Sequence, residues 1–440
     1  MTALAQPEVA PAPTPGVAGA GGATAPDPQA VSNSRLSVVG TGPRHLHPKP
    51  SGKPDPTAHL SAAQVEALGR ELDALRQQVM DSRGTRDAHY IRTVIKANRI
   101  LELSSRAVLL FSGFPPAWVL GTAGLSIAKI VDNMEIGHNV MHGQWDWMRD
   151  PKIHSTTWEW DNVTPSSQWQ KTHNETHHTY TNVLGHDDDL GYGIMRVDED
   201  QPWSLALLAQ PIYSLLNALF FEYGIAFYDI KLRGILRGER DPQEYRPEVA
   251  KFLRKLRHQV LKDYLLHPLL SGPNALSTLA ATAVANIVRN VWTNSIILCG
   301  HFPYGVETFA TDSIEGETRG DWYVRQMIGS ANISGTKVIH FMSGNLSHQI
   351  EHHIYPDMPS NRYVEIAPRV REICRRYDLH YATGSFAHQL GSAWAKIIVL
   401  ALPNASPERS RATAVREAAA AAWAARRERR RQRGRQRPAR

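Results

Sequence analysis

The stretch Trp203–Tyr228, WSLALLAQPIYSLLNALFFEYGIAFY, decides the fold class. It holds one charged side chain, Glu222, and exceeds the roughly 20 apolar residues that a bilayer-spanning helix needs. Downstream, Pro268–Gly300 is a second such block, with Arg289 inside it. Upstream, Ala107–Ile130 is a third, broken by Pro115-Pro116, a pair that ends one helix and starts the next. Its second part is too short to span alone and reads as one leg of a hairpin. Aromatic residues stand near the block ends (Trp118, Trp203, Tyr228, Trp292), as in an interfacial belt. The expectation is an all-α integral membrane protein with about four transmembrane helices.

One stretch conflicts with simple crossings. Lys231–Asp263 carries 10 Lys and Arg against 5 Asp and Glu, which favours the cytoplasmic side. If its two flanking blocks each cross once, it lies opposite the histidines described below. Either the charge rule fails here, or one block dips in and returns.

The ends differ from the middle. Residues 1–60 are rich in Ala, Pro and Gly and read as a disordered tail. Residues 61–84 read as an amphipathic helix: Ser61 and Gln64 form a capping-box pattern, and Val65, Leu68, Leu72, Leu75 and Val79 follow a heptad spacing. That stripe can pair with a second copy, dock on the main domain or lie on a membrane. Residues 85–402 form the main domain. Residues 403–440 are a basic tail with 12 Arg against 3 Glu from Glu408 onward. The net charge of +7 is therefore a tail property, which argues against a nucleic-acid partner and for anionic lipid. No secretory signal is visible at the N-terminus. Two cysteines, Cys299 and Cys374, exclude a disulfide scaffold and an iron–sulfur cluster of the chain's own.

Histidine is the outlier, at 20 residues. Three clusters hold most of the chemistry: GHNVMH with His138 and His142, HNETHH with His173, His177 and His178, and HQIEHH with His348, His352 and His353. A spacing of four puts two imidazoles on one helix face, and the adjacent third swings about 100° round. At this His frequency an HxxxHH pattern arises about 0.04 times per chain, so two copies are not accident. Imidazole suits zinc, copper and iron, but zinc takes four ligands, and eight or nine imidazoles match two metal ions with open positions.

The strings NMEIGHNVMHGQWDWM, STTWEW, KTHNETHHTYTN, GHFPYGVETF and SGNLSHQIEHHIYPDMPSNRY resemble the membrane-bound fatty acid desaturases, and among them the actinobacterial acyl-CoA, or linoleoyl-CoA-type, group. The similarity covers roughly residues 85–400. It implies a cytoplasmic helical cap holding two non-haem iron ions on the boxed histidines, with no catalytic residue beyond the metal centre. It implies O2-dependent insertion of a cis double bond into a long acyl chain, carried by CoA or by lipid. In the third box the family pattern fits either His348 or Gln349 beside His352 and His353. Imidazole is the stronger iron ligand, so His348 is the expected one and Gln349 a neighbour or substitute. Stearoyl-CoA-type desaturases also carry a lone His at the end of the fourth transmembrane helix, with an Asn four residues before it. Here His301 is the expected ninth ligand, and Asn294, seven before it, the candidate for the supporting role.

Asp187–Asp189 reads as a solvated loop or as hydrogen-bond acceptors for metal-bound imidazoles, a task open also to Glu135, Glu159, Asp161 and Glu175. His154, His186 and His340 read as ordinary histidines near the boxes. Neither a heme-binding HPGG motif nor a flavin or NAD glycine fingerprint occurs, so electrons must come from a separate protein, a ferredoxin or reductase, and not from a fused cytochrome b5. The expected location is a bacterial inner membrane, with the active site on the cytoplasmic face. A membrane acyl hydroxylase and a metal transport protein are the alternative functions.

Overall fold

The structure is a computed structural model that describes residues 54–435, without residues 188, 237, 239, 407 and 408 and without the side chains of 233, 425, 426 and 428–435. Most of the expected 1–60 tail lies outside the described residues.

Helix α1 (Ala62–Asp81) starts at the Ser61–Gln64 capping box read from the sequence. Its stripe of Val65, Leu68, Leu72, Leu75 and Val79 is buried in the chain's own core, against Tyr323, Met327, Ile354 and Val370. The docked reading therefore holds, and the stripe is not free to pair with a second copy. Gly320 makes the close crossing possible, because a Cβ there would stand 2.3 Å from the Val65 carbonyl oxygen.

Helices α2 (Thr85–Leu109) and α3 (Pro115–Val131) form the hairpin that the Pro pair dictates. The Trp203–Tyr228 block does not run straight. It forms α4 (Gln210–Leu219) and α5 (Phe221–Asp229), and the pair spanning Leu205–Asp229 bends by 101° at Phe220. Helix α6 (Arg246–Val260) follows, then the long α7 (Ala275–His301), which packs on α3 and α4. Helix α8 (Arg319–Ile328) packs on α1. The third box sits in the short α9 (Gln349–Ile354), followed by α10 (Tyr363–Arg376), α11 (Phe386–Leu400) and α12 (Arg411–Arg435).

The basic stretch packs on the segment that leads to the second box: the Lys255 ammonium donates to Glu159 and to the Trp160 carbonyl, and Lys262, just beyond α6, pairs with Asp161. Buried Lys129 completes the network, 2.7 Å from both Asp161 and Asp263. Such charges tolerate burial only as mutual partners.

Two further points depart from the all-helical expectation of four spans. Residues Asn332–Ser334 (β1) and Thr383–Ser385 (β2) form a short parallel pair, Asn332 opposite Thr383. Among the described residues no single helix is long and apolar enough to cross a membrane, and the bent pair alone passes by length and composition. Helix α7 is long enough but buries Asn286, Arg289, Asn290, Thr293 and Asn294. Apolar side chains are nonetheless strongly exposed on α2, α3, α4 and around α7: Leu103 69%, Leu120 69%, Ile212 61%, Leu270 75% and Leu276 81%. So much exposed apolar surface marks contact with lipid or protein.

Candidate metal centre

Each box occupies a local break in regular helix. After α3 the backbone widens to a π-helix over Asp132–His138 and then tightens over Asn139–Met141. Gly137 is required there, since a Cβ would stand 2.8 Å from the Asp132 carbonyl oxygen and 2.9 Å from Trp160. The second box starts after Pro165, widens over Gln170–His177 and ends at Thr181. Such π segments are rare and concentrate at functional sites, where they turn side chains off the α-helical register.

These breaks gather the histidines into two groups. Ring nitrogens of His138, His142, His173 and His352 lie within 4.8 Å of one another, as do those of His177, His301 and His353. His178 stands between them, its ring 4.7 Å from His142, 4.8 Å from His352 and 4.5 Å from His353. The His138 and His352 Nε2 atoms are 3.3 Å apart, and those of His301 and His353 3.1 Å. Metal–imidazole bonds of about 2.0–2.1 Å place neighbouring ligand nitrogens about 3.0–3.4 Å apart.

The outward nitrogens are held. His173 Nδ1 is 2.8 Å from Asp189 and His177 Nδ1 is 3.0 Å from Asp187. His353 Nδ1 meets the Gln326 amide oxygen at 3.0 Å, and His352 Nδ1 meets the Tyr363 hydroxyl at 3.2 Å. With Nδ1–H donating outward, each ring turns the lone pair of Nε2 inward, the tautomer a metal needs. Burial holds His138 down to about 3, and burial with neighbouring rings holds His142, His173, His178, His352 and His353 well below the ordinary range, so these imidazoles are neutral. His177 is also desolvated, but Asp187 outweighs this and raises it.

The residues fit a metal centre on a further observation. Buried His142 Nε2, His173 Nε2 and both nitrogens of His178 have no hydrogen-bond partner. Leaving so many buried ring nitrogens unmet is costly unless a cation takes the lone pair each ring offers.

The third box divides differently from its spacing. His348 lies in a 3-10 turn with φ −103 and ψ 55, so it is not in helical phase with His352. Its ring stacks on His340 at 4.7 Å, outside both groups. Gln349 opens α9, and its amide nitrogen is 3.0 Å from His301 Nε2. The unpartnered Gln349 Oε1 trades places with that nitrogen by a half-turn of the amide. Asn294 is buried but does not line the adjoining cavity, where α7 presents Asn290, Thr293, Ile297 and His301.

Of the carboxylate candidates, buried Asp187 and neighbouring Asp189 meet the histidines. Glu135 instead accepts from Tyr90, Asn345 and Ser360, and burial pushes it to about 7. Glu159 and Asp161 serve the lysine network, and Glu175 is exposed. His154 faces Asp146 and His186 stacks on Tyr180. Sequence reasoning missed Trp169, Gln326 and Tyr363. Trp169 stacks on His173 at 4.4 Å and borders His138 and His142, a neighbour that its position four residues before His173 could have signalled. No sequence spacing points to Gln326 or Tyr363.

Beside the histidines lies a cavity of about 820 Å³, its open mouth included, whose lining includes Met134, Leu190, Phe221, Ile225, Ile297 and Leu346. A chamber with apolar side chains in its wall beside inward-facing imidazoles suits an apolar substrate brought to a metal-borne oxidant. A profile of the family described as Fatty acid desaturase matches residues 112–385. The chain belongs to the fatty acid desaturase family.

The desaturase is 50% identical over 354 residues to the NADPH-dependent stearoyl-CoA 9-desaturase of Mycobacterium tuberculosis, covering 80% of this chain and 83% of that protein. It is 25% identical over 300 residues to the sn-1 linoleoyl-lipid 6-desaturase of Synechocystis, covering 66% and 82%. It is 28% identical over 221 residues to the Delta(8)-fatty-acid desaturase of Euglena gracilis, covering 48% and 51%. The desaturase is accordingly an oxidoreductase of lipid metabolism acting on acyl chains, with a histidine cluster able to hold metal.

Proposed function

We propose that the chain is a membrane-bound, O2-dependent acyl-CoA desaturase that inserts a cis double bond at the ninth carbon of a long saturated chain, the position named in its Mycobacterium relatives. One iron would be held by His138, His142, His173 and His352, and the other by His177, His301 and His353. His178, which stands between the two groups, and Gln349, beside His301, would complete the set, and His348 would take no part. The observation that carries this reading is the convergence of inward imidazole nitrogens on a cavity with apolar walls.

Two irons, when bound, activate O2 for removal of two hydrogens from adjacent methylenes, with O2 reduced to water. The chain's own residues do the rest. Asp187, Asp189, Gln326 and Tyr363 fix the imidazole tautomers and ring planes. Trp169 walls one side of the cluster against water. Met134, Phe221, Ile225 and Ile297 hold the acyl chain straight past the site, so geometry selects the bond. The exposed apolar belt on α2, α3, α4 and α7 lies in the bilayer, the Leu205–Asp229 pair dips in and returns, and the boxes and α6 share the cytoplasmic face. Electrons arrive from a separate NADPH-driven protein, and the 403–440 tail lies against anionic lipid.

Expression in cells fed saturated acyl chains, with mass analysis of the products, tests this. A product lighter by two hydrogens, unsaturated at the ninth carbon, supports it. A product heavier by one oxygen makes the protein a hydroxylase.

A further inference from the structure

The string STTWEW, residues 155–160, supplies no histidine, yet two of its rings lead to the metal centre. Trp160 is 5% exposed, and its ring centre lies 5.5 Å from that of Trp169. Trp169 stacks on His173 at 4.4 Å and stands 5.2 Å from His138 and 5.4 Å from His142. Trp158, half-buried and flanked by exposed Thr157 and Glu159, packs against the same cluster. Three indoles therefore link the four-histidine group to the surface through packed contacts. Indole gives up an electron more readily than any other neutral ring that keeps its proton. Tyr363 also touches the centre, but its hydroxyl faces His352 Nδ1 and donates to the Tyr355 carbonyl at 3.1 Å. A phenol yields an electron easily only where a base takes its proton, and a backbone carbonyl is not such a base.

We infer that Trp169, Trp160 and Trp158 form an electron relay that discharges oxidising equivalents from the histidine centre when the cavity holds no acyl chain. The inference rests on the O2-dependent reading and adds a route that protects the site from its own chemistry. Reducing O2 to two waters takes four electrons and four protons. Two electrons come from the donor protein. Two more, with two protons, come from the C–H bonds of the acyl chain, and solvent gives the remaining protons. Without a chain the last two electrons are missing, and the ring stacked on His173 is placed to supply them. Trp169 loses an electron to the site, and Trp160 and then Trp158 refill it. The oxidised indole of Trp158 releases its N–H proton to water, and a cytosolic thiol returns a hydrogen atom to it. A second pass with a second thiol completes the pair. The two thiols end joined as a disulfide, and solvent protons complete the water. Suppressing a side reaction in this way spares the histidines themselves.

The test is a single O2 cycle on purified, iron-loaded protein in lipid nanodiscs. The protein is reduced with dithionite without air, desalted and mixed with oxygenated buffer, with or without stearoyl-CoA. Metal-free protein is the control. Peptide mass spectrometry reads where oxygen has been added, and elemental analysis reads the metal kept. Without acyl-CoA or thiol, wild type should carry its oxidation on Trp158 and keep its metal. Stearoyl-CoA, or added glutathione, should suppress that mark. Trp158→Phe should move the mark inward to Trp160 or Trp169. Trp169→Phe should leave Trp158 unmarked and place the oxidation on His173 or a neighbouring histidine, with loss of metal. Should Trp169→Phe not fold, wild type and Trp158→Phe decide alone. An unmarked Trp158 in wild type that desaturates stearoyl-CoA overturns the relay and leaves the desaturase reading standing. Equal marking of metal-free protein, or oxidation confined to Met141 or Tyr363, also overturns the relay. If Trp158 is marked in iron-loaded protein alone while stearoyl-CoA gives no unsaturated product, the relay stands and the desaturase reading falls.

Discussion

His348 and Gln349 are sequence neighbours that part company in space. Helical periodicity pairs His348 with His352, but the non-helical backbone at His348 removes it from that face and seats it on His340. Gln349, first in α9, takes the place beside His301. Changing His348 to Ala should therefore leave metal content near the wild-type value, whereas His301→Ala should lose at least half of it by elemental analysis. Equal losses in both variants would return His348 to the ligand set. Asp187 gives a second contrast, because it accepts from His177 Nδ1 and also from the Asn182 backbone N–H at 2.8 Å. Asp187→Asn should weaken metal retention about 10- to 100-fold in a chelator titration, the usual cost of losing such support. Retention equal to wild type would show that His177 needs no orienting partner. The boxed histidines were legible from their spacing, because i and i+4 contacts are local. The choice at 348 or 349 was not, because it depends on where a short turn ends and a helix begins.

Helix α1 shows a pattern whose partner the sequence could not name. Its heptad stripe fits equally a second copy, a membrane or a domain face, and only the complementary surface of α8 and α10 decides. Leu72 is fully buried there, and Leu72→Ala should cost about 2–5 kcal/mol of stability, read as a lower Tm without change in the metal ligands. No measurable loss would mean that α1 is not part of the folded core. The end of the domain behaves similarly. Composition places the break at residue 403, yet Arg196 donates to the carbonyl of Leu402 at 3.1 Å and to the Asn404 side chain at 2.6 Å. Truncation after Ser406 should keep the fold and the metal, while truncation after Val399 should lower Tm and metal together. A tie made by one buried arginine leaves no trace in local composition. The bend at Phe220 escaped a definite sequence reading for a related reason: hydropathy reports that a block is apolar, not whether it crosses or returns.

For the whole molecule, family, helical class and histidine centre followed from motif and pattern, whereas the exposed belt, the lysine network before the second box and the cavity beside the histidines required the assembled chain. Those features support one account: an apolar chain is held beside two clusters of imidazoles, in a protein whose outer apolar belt lies in lipid. The histidines form two groups with His178 between them, and under the proposed function each group takes its own metal ion. The most direct test is the metal content of purified, acyl-active protein, measured per chain by mass spectrometry. The account predicts two irons per chain, falling together with activity when a chelator strips them and returning together on adding ferrous iron. Full activity with zinc alone, or with one iron per chain, would contradict it.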